Sequence, residues 1–517
     1  MSEAVLAAPK SERTLAGRAL TPVLLGSILV LAVLLRFHDL AAASLWEDEI
    51  ASVELSRVPL SLLWSDWMVR ETNPPLYYSL LHLWMQMFGE SAFAVRSLSA
   101  LAGSAAVLLI FALGRSIAST RAGLISALLA AVWSHQVYYS QEARGYIFGA
   151  CGVLIAVLGL VKIADDVQGR DETQGGAAPW LLYLSGSLIA VYSHTTNVFA
   201  PFLANLYFVW LWAFRSSRPM RLLFTWIGVN ALLVLGWAWW GYITYLQVSR
   251  PDNNINWIGP SSPYDAVNAV TIAYGPTGWS WDNSLLRIGL QVGGGGLILA
   301  GAAWGVSRLR LERAVMLAVF GAGLPLLVYL VSLHTPMMLP RVLLWAQFSV
   351  IVGLAAAIAA VKSRTLLLSL LAAAVAVLSI GRTVQKPKEP WEAVVAELDR
   401  RVGPSDLVLA SGAGILIQHY CDKLHCRFKT VDVLGPSEAI NHWKAGMFRG
   451  PRPLPDAVPG LIAGRPLVWT VTLTVQDPRP FVAPYATEEP IPFAPDPLGR
   501  LIVTSWRPKP GLPAKVQ

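Results

Sequence analysis

Apolar residues arrive in long runs separated by short polar stretches, and one helical membrane span needs about 20 mostly apolar residues. Eleven stretches meet that length: roughly 19–37, 96–114, 122–140, 144–162, 179–195, 197–214, 222–246, 286–306, 314–333, 341–361 and 365–381. The apolar segment Pro74 to Gly89 is too short after its two prolines, so it is expected to lie along the membrane surface. Beyond Arg382 the runs shrink to strand length (DLVLA, PLVWTVTL, RLIVTSW), while EAVVAELDRRV at 392–402 keeps a helical period. The pattern therefore predicts an α-helical polytopic membrane protein: a tail at 1–18, a membrane domain at 19–381 with a long outer loop at 38–95, and a soluble α/β domain at 382–517. The Pro-rich stretches 451–460 and 478–498 read as loops of that last domain.

Composition agrees, because charged residues make up 14% of the chain and hydrophobic ones 55%, against about a quarter charged in soluble proteins. That excludes a disordered chain, and the small net charge of +8 excludes a nucleic-acid binder. The sign of the flanks sets orientation. Clusters such as Arg215, Arg218 and Arg221, or Arg308, Arg310 and Arg313, fall on one side of the eleven-span map, so the N-terminus is expected in the cytoplasm and the C-terminal domain outside it.

With that topology the unusual polar residues collect outside. Glu47, Asp48 and Glu49 open an expected amphipathic helix; adjacent carboxylates raise one another's pKa unless cations or a metal offset them. Asn73 and Tyr77 flank the Pro74-Pro75 turn, and Glu142, Arg144 and Tyr146 sit between two spans. His194, Trp257 and Arg341 follow at outer span ends or loops. Each has an ordinary explanation, such as a helix N-terminal acid, an interfacial anchor or a snorkelling cation. Their common side does not. A cavity lined by carboxylates, arginines and a histidine at the lipid edge suits a substrate with an anionic head and a greasy tail, and a guanidinium fork suits phosphate. Gly293 to Gly296 lies in an apolar span and reads as a close helix contact. With only three cysteines a disulfide scaffold is excluded; Cys421 and Cys426 suit a short disulfide in an oxidising compartment, with His419 and His425 leaving a metal site as the alternative, and Cys151 reads as a packed span residue.

Taken in order, Arg36 to Asp39, Trp46-x-Asp48-Glu49, Pro74 to Tyr78, Phe-Gly followed by Arg96, and Ser140 to Tyr146 resemble the membrane glycosyltransferases that use polyprenyl-phosphate sugars, the GT-C group that includes protein O-mannosyltransferases, lipid A aminoarabinose transferases and galacturonosyltransferases. The chain departs from them in Asn73, where many members place His or Lys, and in Val342, where Tyr often follows the late Arg. The resemblance implies transfer of a sugar from a polyprenyl-phosphate donor to an acceptor hydroxyl at the outer face of the plasma (inner) membrane, with inversion. It implies catalytic roles for Asp48, as general base, and Glu49. It implies substrate binding by Glu47, Asn73, Tyr77, Glu142, Arg144, Tyr146, His194, Trp257 and Arg341. No cofactor is required; a divalent cation at Asp48 and Glu49 is admitted. The implied partners are the lipid donor, a glycan, lipid or protein acceptor, and membrane lipids. A lipid-linked sugar transporter or flippase and a non-catalytic assembly subunit are the rivals, and the transporter is disfavoured by the lack of a repeat.

Overall fold

The computed structural model describes residues 15–167, 176–214, 220–249, 258–276, 289–380, 388–433, 447–473, 477–489 and 501–512. Helices occupy every apolar stretch marked as a span, and five of them (Leu20–Phe37, Ala92–Ile117, Tyr146–Asp166, Met220–Val248 and Leu311–Ser332) are long and apolar enough to cross a membrane unaided. Others are shorter or interrupted. The stretch expected as one helix over 122–140 is two, Thr120–Val132 and Ser134–Ser140, and the one over 341–361 opens with a 3-10 turn, Pro340–Leu343, before the helix Gln347–Ala359. Both irregular segments carry functional candidates, and helix breaks at membrane depth persist only where other groups satisfy the freed backbone.

Small residues bring these helices together. A Cβ on Gly186 would come within 2.4 Å of the Ala156 backbone nitrogen, and one on Gly305 within 1.9 Å of the Gly353 carbonyl oxygen. Close packing of this kind replaces the hydrophobic drive that lipid removes. The Gly293 to Gly296 run spans a π-turn, Leu290–Gly294, and the start of helix Gly295–Val306; Gly293 and Gly296 face open space, but a Cβ on Gly294 would come within 3.0 Å of Pro276 and one on Gly295 within 3.7 Å of the Gly275 Cα, so half of the run makes the expected close contact.

The segment 38–95 folds as helix Glu47–Arg57, a short turn of helix Leu60–Leu63, a 3-10 turn Asp66–Arg70 and helix Leu76–Phe88. The last has 13 residues, too few for a span, as the double proline predicts. Helix Glu47–Arg57 is not amphipathic in place: Glu49 through Ser56 are all buried. It is enclosed both by helix Leu76–Phe88, whose His82 Nδ1 lies 2.7 Å from the Ser56 carbonyl, and by the C-terminal domain. Helix Gly414–Leu424 donates the Tyr420 hydroxyl to the Leu45 carbonyl at 3.1 Å and sets His419 Nδ1 2.8 Å from Glu54 Oε1. Apolar residues of both regions, among them Ile50, Val53, Leu416 and Trp469, share one core.

That C-terminal domain is a five-stranded mixed sheet of order β2-β1-β3-β5-β4, with β1 Leu407–Ala410, β2 Thr430–Asp432, β3 Val468–Leu473, β4 Ala486–Glu489 and β5 Leu501–Pro508. β1 pairs in parallel with β2 and β3, whereas β5 runs antiparallel to both β3 and β4. Helix Trp391–Arg401 matches its expected period. The described parts of the Pro-rich stretches are not plain loops, since Val458–Ile462 is a short helix and Ala486–Glu489 a strand, with Pro455, Pro459 and Pro480 at helix starts; positions 490–498 of the second stretch lie outside the described residues. Cys421 and Cys426 are joined in a disulfide, and His419 is engaged with Glu54 rather than with a metal.

Candidate active site

The break between Val132 and Trp133 leaves carbonyls of the preceding helix without intrahelical partners. Arg36, fully buried at the end of the first helix, donates to the Ala130 and Ala131 carbonyls, each at 3.2 Å, and to Ser140 Oγ at 3.2 Å. Gln141 Nε2 donates to the His38 carbonyl at 2.9 Å and the Arg36 carbonyl at 3.2 Å. These bonds fix the turn Glu142-Ala143-Arg144-Gly145 against the exit of the first helix. Deeper in the chain, Gln347 Nε2 reaches His135 Nδ1 and the Ala273 carbonyl, and Gln347 Oε1 accepts from Gln136 at 2.7 Å. The helix leading to Arg144 is thereby tied to the segment that carries Arg341.

Asp48 is where the two segments meet. Its Oδ2 lies 3.5 Å from Arg341 Nη1 and 3.9 Å from Arg144 Nε. Arg144 Nη1 also donates to the Asp48 carbonyl at 3.1 Å and to Ser52 Oγ at 3.3 Å. Both guanidinium groups lie over the Tyr146 ring, Arg144 5.6 Å and Arg341 5.8 Å from its centroid. The negative π-face of that ring offsets part of the repulsion between two like charges that reach the same carboxylate.

Glu49 faces elsewhere. Its carboxylate takes a two-point contact from Arg96, Nε at 2.8 Å and Nη2 at 2.7 Å, the Ala143 N–H at 3.0 Å, and Lys388 Nζ at 3.0 Å. Arg96 also donates to the Leu40, Ala43 and Ser44 carbonyls, so one guanidinium ties the loop from residue 40 to 49 onto helix Ala92–Ile117. Complete burial alone would raise the Glu49 pKa, but Lys388, Arg96 and the Ala143 N–H together hold it down at about 2. Glu142 shows the opposite balance: burial, with Glu49 and Asp48 nearby and only Lys388 and Tyr138 opposing, pushes it up to about 7.

A small cavity adjoins Arg144, walled by Asn73, Tyr78, Tyr146 and His194. Asn73 Nδ2 donates to Glu71 Oε1 at 2.9 Å, as does the Tyr78 hydroxyl at 3.2 Å. Tyr77 is buried in the same wall with its hydroxyl 3.2 Å from Ser99 Oγ, and His194 Nδ1 is occupied by Thr196 Oγ1 at 2.8 Å. Glu47 is half-buried on the first turn of the Asp48 helix. Trp257 lies outside the described residues. Of the expected site, the fold thus brings Asp48, Arg144, Tyr146 and Arg341 together, with Asn73, Tyr77 and His194 beside them.

Reasoning from the sequence passed over Arg96 and Lys388 as site residues. Arg96 carried a signal, a lone cation at the head of an apolar helix. Lys388 carried none, since it sits in a polar joint 339 positions from its partner by their numbers. For a divalent ion the donor set does not fit: Glu49 is saturated by Arg96, Lys388 and the Ala143 N–H, and Asp48 faces two guanidinium groups. Among the described residues no group of three or more His, Cys, Asp or Glu is placed to hold a metal.

Comparisons with known proteins agree with this architecture. Residues 72–240 match the family model described as dolichyl-phosphate-mannose-protein mannosyltransferase. No curated protein sequence matches the chain. Among solved structures, ArnT from Cupriavidus metallidurans superposes with a TM-score of 0.59 at 15% identity, covering 95% of this chain and 98% of that one; the same protein bound to undecaprenyl phosphate also matches at 0.59, over 98% and 100%. The oligosaccharyltransferase AglB from Archaeoglobus fulgidus, in complex with an inhibitory peptide and a dolichol-phosphate, matches at 0.55 and 13% identity, over 88% of this chain and 70% of that one. The chain therefore has the GT-C fold of these membrane glycosyltransferases, and its residues 72–240 carry the sequence pattern of the dolichyl-phosphate-mannose-protein mannosyltransferase family.

Proposed function

We propose that this protein is a membrane glycosyltransferase that moves a sugar from a polyprenyl-phosphate donor to an acceptor hydroxyl on the outer face of the membrane, with inversion at the anomeric carbon. The observation that carries the reading is the Asp48 carboxylate held between Arg144 and Arg341, at 3.9 and 3.5 Å. Two guanidinium groups converging on one carboxylate make a site for a phosphate monoester or diester. As the donor phosphate takes its place against them, Asp48 loses its counter-charges and becomes a better base.

The steps balance without a cofactor. Asp48 takes the proton of the acceptor hydroxyl, its oxygen attacks the anomeric carbon, and the bond from that carbon to the phosphate oxygen breaks. The electron pair leaves with the phosphate, where Arg144 and Arg341 stabilise the growing charge. Tyr146 offsets part of the repulsion between the two cations. Glu49, locked to Arg96, fixes the helix turn that presents Asp48. The prenyl chain stays in lipid, where each buried methylene contributes about 0.8 kcal/mol. Lipid-phosphate ligands in the ArnT and AglB structures support the donor class for this chain.

The test is to incubate the purified protein in lipid with a panel of polyprenyl-phosphate sugars and hydroxyl acceptors and to identify products by mass spectrometry. Free prenyl phosphate appearing together with a glycosylated acceptor is the expected result. Movement of intact lipid-linked sugar across the bilayer, with no free prenyl phosphate, would make the protein a carrier instead.

A further inference from the structure

Lys388 lies in the joint between the last membrane helix and the outer domain, three positions before Trp391, whose side chain is wholly buried. Its side chain is 12% exposed and reaches into the outer loop, 3.0 Å from Glu49 Oε2. The Glu49 carboxylate also takes the two-point contact of Arg96 and the Ala143 N–H, so Lys388 shares it with three other donor groups. The Lys388 Nζ is shielded from solvent, and its approach to Glu49 is not a well-formed hydrogen bond. An ammonium has three donors to place. The Lys388 charge also acts on Glu142, a side chain 2% exposed whose Oε1 makes no hydrogen bond among the described residues. A buried polar group whose bond goes unmade destabilises the fold unless a ligand completes it. Two such groups around one carboxylate, Lys388 in contact with Glu49 and Glu142 next in the chain to Ala143, whose N–H bonds Glu49, mark a place whose polar capacity a ligand fills.

We propose that Lys388 and Glu142 form a subsite for the hydroxyls of a sugar ring, the ammonium donating to one hydroxyl and the carboxyl bonding its neighbour. The inference rests on the glycosyltransferase reading and names what that site recognises besides phosphate. A second phosphate is the wrong guest, since Glu49, Asp48 and Glu142 all crowd the place with carboxyl groups. A vicinal diol is the right one, because each hydroxyl both donates and accepts. With its pKa pushed up by burial to about 7, Glu142 serves either way near neutral pH. A site built to bond a hydroxyl strongly rejects an analogue that lacks it, because its own buried groups are then left unpaired. The hydroxyls belong either to the sugar of the donor or to a sugar acceptor, and the two sources are separable.

The experiment uses the full chain in lipid nanodiscs, with Lys388→Ala and the isosteric Glu142→Gln beside wild type, and two probes: a polyprenyl phosphate and the same lipid carrying mannose. If the donor sugar occupies the subsite, both variants weaken the mannosyl lipid about tenfold more than the bare lipid. If an acceptor sugar occupies it, the two lipids change equally little, while the KM for methyl mannoside as acceptor rises about tenfold and kcat moves less than threefold. Equal large losses for both lipids would make Lys388 a phosphate ligand or a structural prop, and no change in either arm would leave the pair without a ligand; each overturns the proposal. Glu142→Gln keeps shape and volume, so it reports even where Lys388→Ala disturbs the joint. Wild-type protein that binds neither lipid would sink the donor reading itself, and this subsite with it.

Discussion

Replacing Glu49 by Gln removes one negative charge from a fully buried cluster and leaves Arg96 and Lys388 facing an amide. Holding the carboxyl at about 2 rather than its ordinary 4.5 makes the ionised form worth about 3 kcal/mol to the folded state, at about 1.36 kcal/mol per tenfold change in protonation. Breaking a buried pair from one side costs about 3–5 kcal/mol by comparison with other proteins, so the two estimates agree. Because the folded pKa lies below the unfolded one, this stabilisation is complete above about pH 4.5 and is lost as the pH falls towards 2. The deficit of Glu49→Gln relative to wild type should therefore be about 3 kcal/mol at pH 7 and shrink steadily below pH 4.5. Unfolding of the purified protein in mixed detergent micelles, followed by tryptophan fluorescence, measures it. A double-mutant cycle with Arg96→Met should show a coupling energy of about 1–3 kcal/mol. A deficit that does not change between pH 7 and pH 3, or strict additivity in the cycle, would refute the account of Glu49 as the electrostatic anchor of the Asp48 helix.

Asp48→Asn should fold and insert normally yet lose sugar transfer by at least about a hundredfold, as general-base catalysis contributes about 10²–10⁴; product analysis by mass spectrometry reads it, and retained transfer removes the base assignment. Arg341→Lys keeps the charge but not the planar fork, and a lost charged hydrogen bond of about 1.5–3 kcal/mol predicts a donor KM raised by about ten- to a hundredfold; titration with prenyl phosphate checks it. For Glu142 the folded pKa lies above the unfolded one, so the wild type loses stability as the pH rises from about 4.5 through 7. Glu142→Gln should therefore gain on the wild type by up to about 3 kcal/mol between pH 5 and pH 8, and parallel stability curves would contradict it. Gly103→Ala would place a methyl 2.0 Å from Ser140 Oγ and 3.0 Å from Arg36 Nε, displacing the guanidinium that caps the broken helix; a loss of about 1–3 kcal/mol is expected in the same unfolding assay.

The chain's own pattern determined where helices form, since a run of about 20 apolar residues has few other stable states in lipid. Short apolar runs likewise announced β1, β3 and β5, whereas β2 and β4 are short and polar-flanked and gave no run to read. The residues around Asp48 were legible as candidates because charge at a membrane boundary is expensive and needs a reason. What no local pattern contains is who meets whom. The resemblance implied a catalytic role for Glu49 beside Asp48, but one residue along a helix turns the side chain by about 100°, and that rotation sends it to Arg96 and Lys388 instead. The buried face of helix Glu47–Arg57, the break that lets Arg36 hold the Glu142 turn, and the arrival of Lys388 from the far end of the membrane domain all depend on contacts between segments tens to hundreds of residues apart. Such contacts form only when the whole chain has packed, and so only the tertiary structure decided which of the charged candidates converge on Asp48 and which hold its helix in place.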